Sequence, residues 1–261
     1  MDLGIAGRTA LVLGGGGGIG GAIAQMLAEE GAKVAVADIN AAAAKLRAEA
    51  ITDAGGQALA LEWDLGELGA IEGNTRAIEE SLGPVDILVN NTGGPPPSPV
   101  LGQDPTVWIN YFQSMVLSVI AITDSVVPGM RSRGWGRVIT STSSGVVAPI
   151  PNLGLSNALR AGLLGWSKTL AREVAADGVT CNVVVPGRIG TQRTEFLNRA
   201  KAEREGKTVE QVSAASLATI PAGRYGNPRE YASMVAFLAS APASYVTGSL
   251  VRVDGGLIAS L

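Results

Sequence analysis

Short apolar runs alternate with amphipathic stretches along the whole chain. The runs are nearly continuous in Val, Ile, Leu and Ala, which is typical of strands buried on both faces of a parallel sheet. They predict seven strands, at 9–13, 33–37, 57–61, 85–89, 138–142, 179–185 and 249–253. The stretches between them predict helices at 22–30, 41–54, 68–82, 104–130, 153–176 and 228–240. This alternation indicates an α/β fold, with a doubly wound parallel sheet that carries helices on both faces.

A run of glycines separates the first predicted strand from the first helix. Between positions 14 and 21, seven glycines are interrupted only by Ile19. A strand, a glycine turn and a helix let backbone N–H groups at the helix N-terminus hold a pyrophosphate, and a Cβ would block the turn or the ligand. The alternative is a flexible glycine turn that serves the fold alone. We favour a dinucleotide site, because strand, turn, helix and a later acid all agree.

The later acid is Asp38, which follows the second predicted strand, 18 positions after Gly20. A carboxylate at about this spacing meets the ribose hydroxyls of adenosine. Neither the glycine turn nor the residues directly after Asp38 contain the Arg or Lys that would receive a 2′-phosphate. The predicted cofactor is therefore NAD rather than NADP. A solvated aspartate at a strand end, with no ligand, is the alternative interpretation.

The chain predicts a single domain over 1–261, because no internal repeat or linker divides it. Ligands of such sheets lie beyond the carboxyl ends of the strands, where the strand order reverses. The segment 188–227 mixes charge, glycine and short amphipathic pieces, and we interpret it as a candidate lid. The residues at the predicted strand ends are Gly14 to Gly20, Asp38, Asp64, Asn90, Ser143 and Pro186.

Composition excludes several kinds of chemistry. The 261 residues are 46% hydrophobic and 16% charged with a net charge of −3, which suits a soluble domain and gives no nucleic-acid surface. There is no histidine, which excludes Ser-His-Asp and Cys-His mechanisms and histidine-ligated metals, and we expect no metal site. Cys181 is the only cysteine, which favours a reducing cytoplasm. No signal peptide or membrane-spanning run is expected.

Several motifs together resemble the short-chain dehydrogenase/reductase family, near 3-oxoacyl-carrier-protein reductases and sugar dehydrogenases. The resemblance covers essentially the whole chain and has two small departures, Leu13 for the usual Thr and Thr92 for the usual Ala. Its motifs are Gly14-x3-Gly18-Ile19-Gly20, Asp38, Asp64-Leu65, Asn90-Asn91-Thr92-Gly93, Pro186-Gly187, Thr191, Tyr245-Val246-Thr247-Gly248 and Asp254-Gly255-Gly256.

The resemblance implies a Rossmann-like fold, a nicotinamide cofactor and a small-molecule substrate. It also implies subunit contacts through the long helices and the last strand, and hence a homotetramer or a dimer. The cofactor-binding residues that it implies are Gly14, Gly18, Ile19, Gly20, Asp38, Asp64, Leu65, Asn91, Gly93, Arg160, Pro186, Gly187 and Thr191.

The catalytic positions of the family are largely replaced. The family serine falls on Ser143, but its tyrosine position holds Ser156 and its lysine position holds Arg160. The family's helix asparagine falls on Met115. A serine hydroxyl is a far weaker acid than a tyrosine phenol, and an arginine that stays charged cannot shuttle a proton. Tyr111, one helical turn before Met115, is a weak substitute, since packing is the more usual role for such a tyrosine.

Three functions remain open on the sequence alone. The first is an NAD-dependent oxidoreductase in which Ser143 and Ser156 bind the substrate oxygen and Arg160 stabilises negative charge. The second is a catalytically silent binding protein, and the third is a non-redox enzyme similar to halohydrin dehalogenases. An apolar cleft edge predicts a moderately apolar carbonyl or alcohol, with Ser143, Ser144 and Arg188 as polar anchors. The apolar edge residues are Val146, Val147, Ile150 and Leu153.

Overall fold

The computed structural model describes residues 1–260 and contains one seven-stranded sheet in which all neighbouring strands are parallel. The strand order is β3-β2-β1-β4-β5-β6-β7, so the order reverses between β1 and β4 and opens a crevice at their carboxyl ends. This confirms the predicted fold class. The strands are β1 (Thr9–Leu13), β2 (Lys33–Asp38), β3 (Gln57–Glu62), β4 (Val85–Asn90), β5 (Gly136–Ser141), β6 (Val179–Pro186) and β7 (Leu250–Val253).

Nine α-helices connect the strands or follow them within the described residues. Several begin at a residue whose side chain accepts a hydrogen bond from the first turn, as Asn40, Asp104 and Thr191 do. The helices are α1 (Gly18–Glu29), α2 (Ala41–Asp53), α3 (Ile71–Leu82), α4 (Pro105–Phe112), α5 (Ser118–Ser132), α6 (Gly154–Val174), α7 (Gln192–Glu205), α8 (Val209–Ala218) and α9 (Pro228–Ala239).

Alternate residues of the central strand supply the two faces of the sheet. Ala10 and Val12 of β1 belong to one buried cluster, with residues of α1, α2 and α9. Leu11 and Leu13 belong to a second cluster, with residues of α3, α5 and α6. Burial on both faces explains why the strands are apolar at every position rather than at every second one.

Helix boundaries differ from the sequence prediction by up to four residues, and α3, for example, begins at Ile71 rather than at 68, after a 3₁₀ turn at Leu68–Ala70. Helix α1 begins at Gly18 rather than at 22, so it includes the last glycines of the run. The segment predicted as one helix over 104–130 is α4 and α5 joined by a turn of π-helix at Gln113–Leu117. Hydrophobic periodicity does not register this turn, because its residues still pack as a helix does.

The run from Pro105 to Ser132 is also the one candidate for a membrane span in the described part of the chain. It reaches a mean hydropathy of 1.3 over 18 residues, of which 33% are buried. Its inner side belongs to the core, as Val119 and Ile122 show, and a core helix meets the same criterion. Its outer side stays apolar, since Ile109 and Phe112 are 61% and 46% exposed.

The segment 188–227 forms a helical pair that stands over the strand ends. Its helices α7 and α8 are joined by a hydrogen bond from Asn198 Nδ2 to Ser213 Oγ at 3.1 Å. Backbone hydrogen bonds between Gly190 and Gly226 (2.9 Å) and between Gly226 and Arg188 (2.9 Å) tie its two ends together. The segment is therefore a folded unit whose two ends are held together, and it is also bonded to the body of the protein through Ala222 and Arg193. Its role as a lid stays a prediction.

Candidate functional site

The glycine turn after β1 is held in a shape that only glycine fits at its tightest points. Gly14 and Gly18 have φ values of +58° and +54°, which side chains rarely adopt. A Cβ on Gly20 would lie 2.0 Å from the Gly14 carbonyl oxygen. Asn91, at the end of β4, donates from Nδ2 to the carbonyls of Leu13 (3.2 Å) and Gly14 (3.4 Å) and so fixes the turn from below.

This turn opens into a cavity of about 480 Å³ at the carboxyl ends of the strands. The N-terminus of α1 has no side-chain cap, so its N–H groups are free to face a ligand. The cavity therefore offers the room and the donors that a dinucleotide requires. The sequence-predicted site residues that line it are Gly18, Ile19, Gly20, Asp38, Asn91, Gly93, Ser143, Ser144, Ile150, Leu153, Ser156, Arg160, Pro186, Gly187, Arg188 and Thr191.

Three predicted cofactor residues do not line the cavity. Gly14 lies underneath the turn, where its carbonyl meets Asn91. Asp64 is exposed and accepts a hydrogen bond from the backbone N–H of Gly66 at 2.8 Å, within a turn that leads away from β3. Leu65 packs against the core cluster behind that turn. Two apolar edge residues, Val146 and Val147, also lie outside the lining. A direct cofactor contact of Asp64 or Leu65 stays a prediction.

Asp38 stands at the adenosine end of the cavity, half-buried at the end of β2. Its carboxylate accepts hydrogen bonds from the N–H of Gly16 at 3.0 Å and of Asn40 at 2.9 Å. A Cβ on Gly16 would lie 2.9 Å from the same carboxylate, so glycine is needed for this approach. Among the described lining residues Asp38 is the only acid, and its end of the cavity holds no Lys or Arg of the glycine turn or of α2.

Two serines face the other part of the cavity. Ser143 lies between β5 and a short 3₁₀ turn, and its Oγ accepts from the N–H of Gly145 at 3.1 Å. Ser156 lies in the first turn of α6 and is 6% exposed, and its hydroxyl has no hydrogen-bond partner within residues 1–260. Both hydroxyls can therefore donate to, or accept from, a small molecule in the cavity.

Arg160 lies one turn further along α6 and is almost completely buried. Its Nη2 donates to the carbonyls of Thr92 at 3.2 Å and Gly93 at 2.7 Å, which holds the loop after β4. Burial, together with the nearby charge of Arg193, lowers the pKa of Arg160 to about 10. The residue stays cationic at neutral pH, but its proton is held less tightly than that of a solvated arginine.

None of the tyrosines within the described residues lines the cavity. Tyr111 packs beside Met115, which is 2% exposed in a cluster with α6. The hydroxyl of Tyr231 donates to the Val184 carbonyl at 3.0 Å and meets Ser141 Oγ at 2.9 Å, and burial raises its pKa. No tyrosine hydroxyl of the described residues therefore replaces, within the cavity, the tyrosine that the resemblance leads us to expect at position 156.

Sequence reasoning missed one charged residue of the site. Arg193, in the first turn of α7, lines the cavity and donates from Nη2 to the Pro95 carbonyl at 2.6 Å. The signal was present, since Arg193 follows the motif residue Thr191 by two positions at a helix start. Its direction into the cavity depends on the packing of α7, which the sequence pattern does not give.

Known proteins match the chain over nearly its full length. Residues 14–258 match the family model described as enoyl-(acyl carrier protein) reductase. The 3-oxoacyl-(acyl-carrier-protein) reductase of Vibrio cholerae is 40% identical over 253 residues, which cover 96% of this chain and 97% of that protein. The chain belongs to the short-chain dehydrogenase/reductase family. This is a family of NAD(P)-dependent oxidoreductases, and the chain is an oxidoreductase of that family.

Solved structures agree with this assignment. L-sorbose reductase from Gluconobacter frateurii, complexed with NADPH and L-sorbose, superposes with a TM-score of 0.94 at 30% identity and full coverage of both chains. Actinorhodin polyketide ketoreductase with NADPH gives a TM-score of 0.92 at 31% identity, with 96% and 97% of the two chains covered. Those two proteins bind NADPH, so they do not support the sequence preference for NAD over NADP.

Proposed function

We propose that this protein is an NAD(H)-dependent oxidoreductase that interconverts a carbonyl and an alcohol without a catalytic tyrosine. The observation that carries the proposal is that one cavity extends from the glycine turn after β1 to Ser143, Ser156 and Arg160. The glycine turn, Asp38 and Thr191 would hold the dinucleotide, which supplies or accepts the hydride. The contacts implied for Asp64 and Leu65 are part of the same proposal.

The side chains of this chain would position and polarise the substrate oxygen. Ser143 and Ser156 donate hydrogen bonds to it, and Arg160 stabilises negative charge that develops on it. Neither a serine nor Arg160 is suited to give up a proton at neutral pH, so water or the substrate itself carries the proton. Loss of a general acid typically costs about 10²–10⁴ in rate, whereas positioning can contribute about 7–11 kcal/mol. A slow but real oxidoreductase is the expected result.

The preference for NAD rests on the surroundings of Asp38. Its carboxylate is fixed by two backbone N–H groups and is positioned to accept from ribose hydroxyls. A 2′-phosphate would meet this negative charge without a basic partner at that end of the cavity.

The same proposal extends to substrate and assembly. Ile150 and Leu153 line the cavity and favour a carbonyl compound with an apolar part. The exposed apolar face around Ile109 and Phe112 favours a homotetramer, or a dimer, in which a second copy covers it.

Cys181 is buried and burial raises its pKa to about 12, which suits an inert thiol in a cytoplasmic protein.

The test is NADH titration followed by reduction of a carbonyl panel. We expect NADH fluorescence to change on binding, and NADH oxidation to depend on both protein and carbonyl. Ser143→Ala and Ser156→Ala should lower kcat at least tenfold, because each removes a donor to the reacting oxygen. Ser132→Ala, at an exposed serine of α5, is the matched control and should leave kcat unchanged. A flat NADH titration refutes the proposal, and binding without any turnover indicates a silent homologue.

A further inference from the structure

Two arginines from different helices converge on one point of the cavity. Arg160 belongs to α6 in the body of the protein, and Arg193 belongs to α7 in the segment over it. A Cβ placed on Gly94 would lie 3.4 Å from Arg160 Nη2 and 3.3 Å from Arg193 Nη2. The two guanidinium groups therefore flank the same glycine, and the charge of Arg193 contributes to the lowered pKa of Arg160.

Neither guanidinium has an acidic partner within the described residues. Arg160 is 8% exposed and Arg193 stacks over the ring of Phe196 at 5.5 Å, yet no salt bridge of the described residues includes either of them. Each donates only from Nη2, to backbone carbonyls, so its other N–H groups remain available. Arg160 is therefore a buried cation without a counter-ion, which is costly, and the exposed Arg193 places a second positive charge beside it. An anion bound between the two guanidinium groups would offset this cost.

The position of the pair indicates which anion. Gly94 follows the loop that Arg160 fixes, and Ser143 and Ser156 line the same part of the cavity. The pyrophosphate of a dinucleotide is expected at the N-terminus of α1, beside Gly18 and Ile19. An anion between the arginines is therefore expected next to the reacting carbon. Arginine presents a fork of donors that matches a carboxylate in a bidentate manner.

We propose that the substrate is an oxo acid, or the corresponding hydroxy acid, whose carboxylate binds between Arg193 and Arg160. This inference rests on the proposed oxidoreductase function and specifies its substrate class. Because the two arginines lie on different elements, the bound carboxylate also joins α7 to the body of the protein.

The test compares acids with their esters, which keep the carbonyl and remove the charge. Pyruvate, acetoacetate and levulinate are each paired with their methyl ester, and kcat/KM with NADH is measured for all six. We expect at least one acid to exceed its ester by about ten- to a hundredfold, the range for a charge-assisted hydrogen bond. Arg193→Gln should abolish this preference for the acid over its ester, and Arg193→Lys should retain part of the preference. Arg199→Gln, at an exposed arginine of the same helix, should keep all of it.

Two binding measurements separate the inference from the function on which it rests. Calorimetric titration with butanoate, at saturating NADH, should show binding that Arg193→Gln weakens at least tenfold, whether or not any carbonyl is reduced. Equal kcat/KM for every acid and ester, with no butanoate binding, overturns the inference while NADH binding still supports the oxidoreductase. If Arg193→Gln instead weakens NADH tenfold and leaves the acid-to-ester ratio intact, the arginines serve cofactor phosphates and the inference is wrong. Failure of NADH to bind wild-type protein contradicts the proposed function itself.

Discussion

Replacing Asp38 by asparagine removes the one carboxylate among the described residues that line the cavity. The side chain keeps its size and one carbonyl oxygen, so it can still accept from Gly16 or Asn40, which now bond to separate carboxylate oxygens. The negative charge and one of these two acceptors are lost. We therefore expect Asp38→Asn to change cofactor choice far more than it changes stability.

The size of the effect follows from charge and exposure. Two unit charges about 4 Å apart interact with about 1 kcal/mol in water and about 4 kcal/mol near a protein surface. Asp38 is half-buried, so its repulsion of a 2′-phosphate lies between these values, at about 2–3 kcal/mol. Wild-type protein should then bind NADH about 30- to 150-fold more tightly than NADPH. The Asp38→Asn variant should lose most of this preference for NADH, because it should bind NADPH more tightly and NADH several-fold more weakly than the wild-type protein does.

The assay is fluorescence titration of each variant with NADH and NADPH at one fixed ionic strength. Glu62→Gln is the matched control, because Glu62 pairs with Asp38 in the register of β2 and β3 and is exposed outside the cavity. Glu62→Gln should alter the ratio of NADH to NADPH affinity less than twofold, since solvent screens the charge of Glu62. Wild-type protein that binds NADPH as tightly as NADH, or an unchanged ratio in Asp38→Asn, would refute this reasoning.

Three further predictions concern the glycine turn, the replaced catalytic positions Ser156 and Arg160, and the exposed ion pair between Arg224 and Glu230. Gly20→Ala places a Cβ 2.0 Å from a backbone oxygen, so NADH titration should show no binding and urea unfolding a loss of about 1–3 kcal/mol. The double variant Ser156→Tyr and Arg160→Lys should raise kcat on simple ketones by about 10²–10⁴, and an unchanged kcat would contradict the account of the proton. Hydrogen bonds from Arg224 and from a backbone N–H lower the pKa of Glu230 to about 2, so its stabilising contribution is present above about pH 4.5 and is lost as pH falls towards 2. Glu230→Gln should flatten the acid side of the stability curve, and an unaltered curve would contradict this assignment.

The sheet and the glycine turn were predictable because their physics is local. A strand buried on both faces must be apolar throughout. The glycine turn must lack a Cβ at Gly16, where it approaches Asp38, and at Gly20, where it approaches the Gly14 carbonyl. Both requirements are visible in the order of residues alone. The sequence therefore indicated which strand ends would meet and where a dinucleotide would bind.

The rest depends on contacts between distant segments. Arg193 reaches Pro95, which lies 98 positions away in the chain, and no periodicity indicates such a contact. The direction of the chain after β3 likewise decides that Asp64 turns outwards, although its motif suggested a place in the cavity. The π-helical turn at Gln113–Leu117 preserves the apolar pattern of a helix, so the pattern could not reveal it.

The most direct test of the central claim follows the hydride itself. Wild-type protein is incubated with NADH that carries deuterium at both C4 positions and with each member of the carbonyl panel, and any alcohol formed is analysed by mass spectrometry. Our account predicts one deuterium on the new alcohol carbon, together with NAD⁺ in equal amount, in a protein whose tyrosine and lysine positions hold Ser156 and Arg160. NADH bound in the cavity with no deuterium transferred to any member of the carbonyl panel would contradict it.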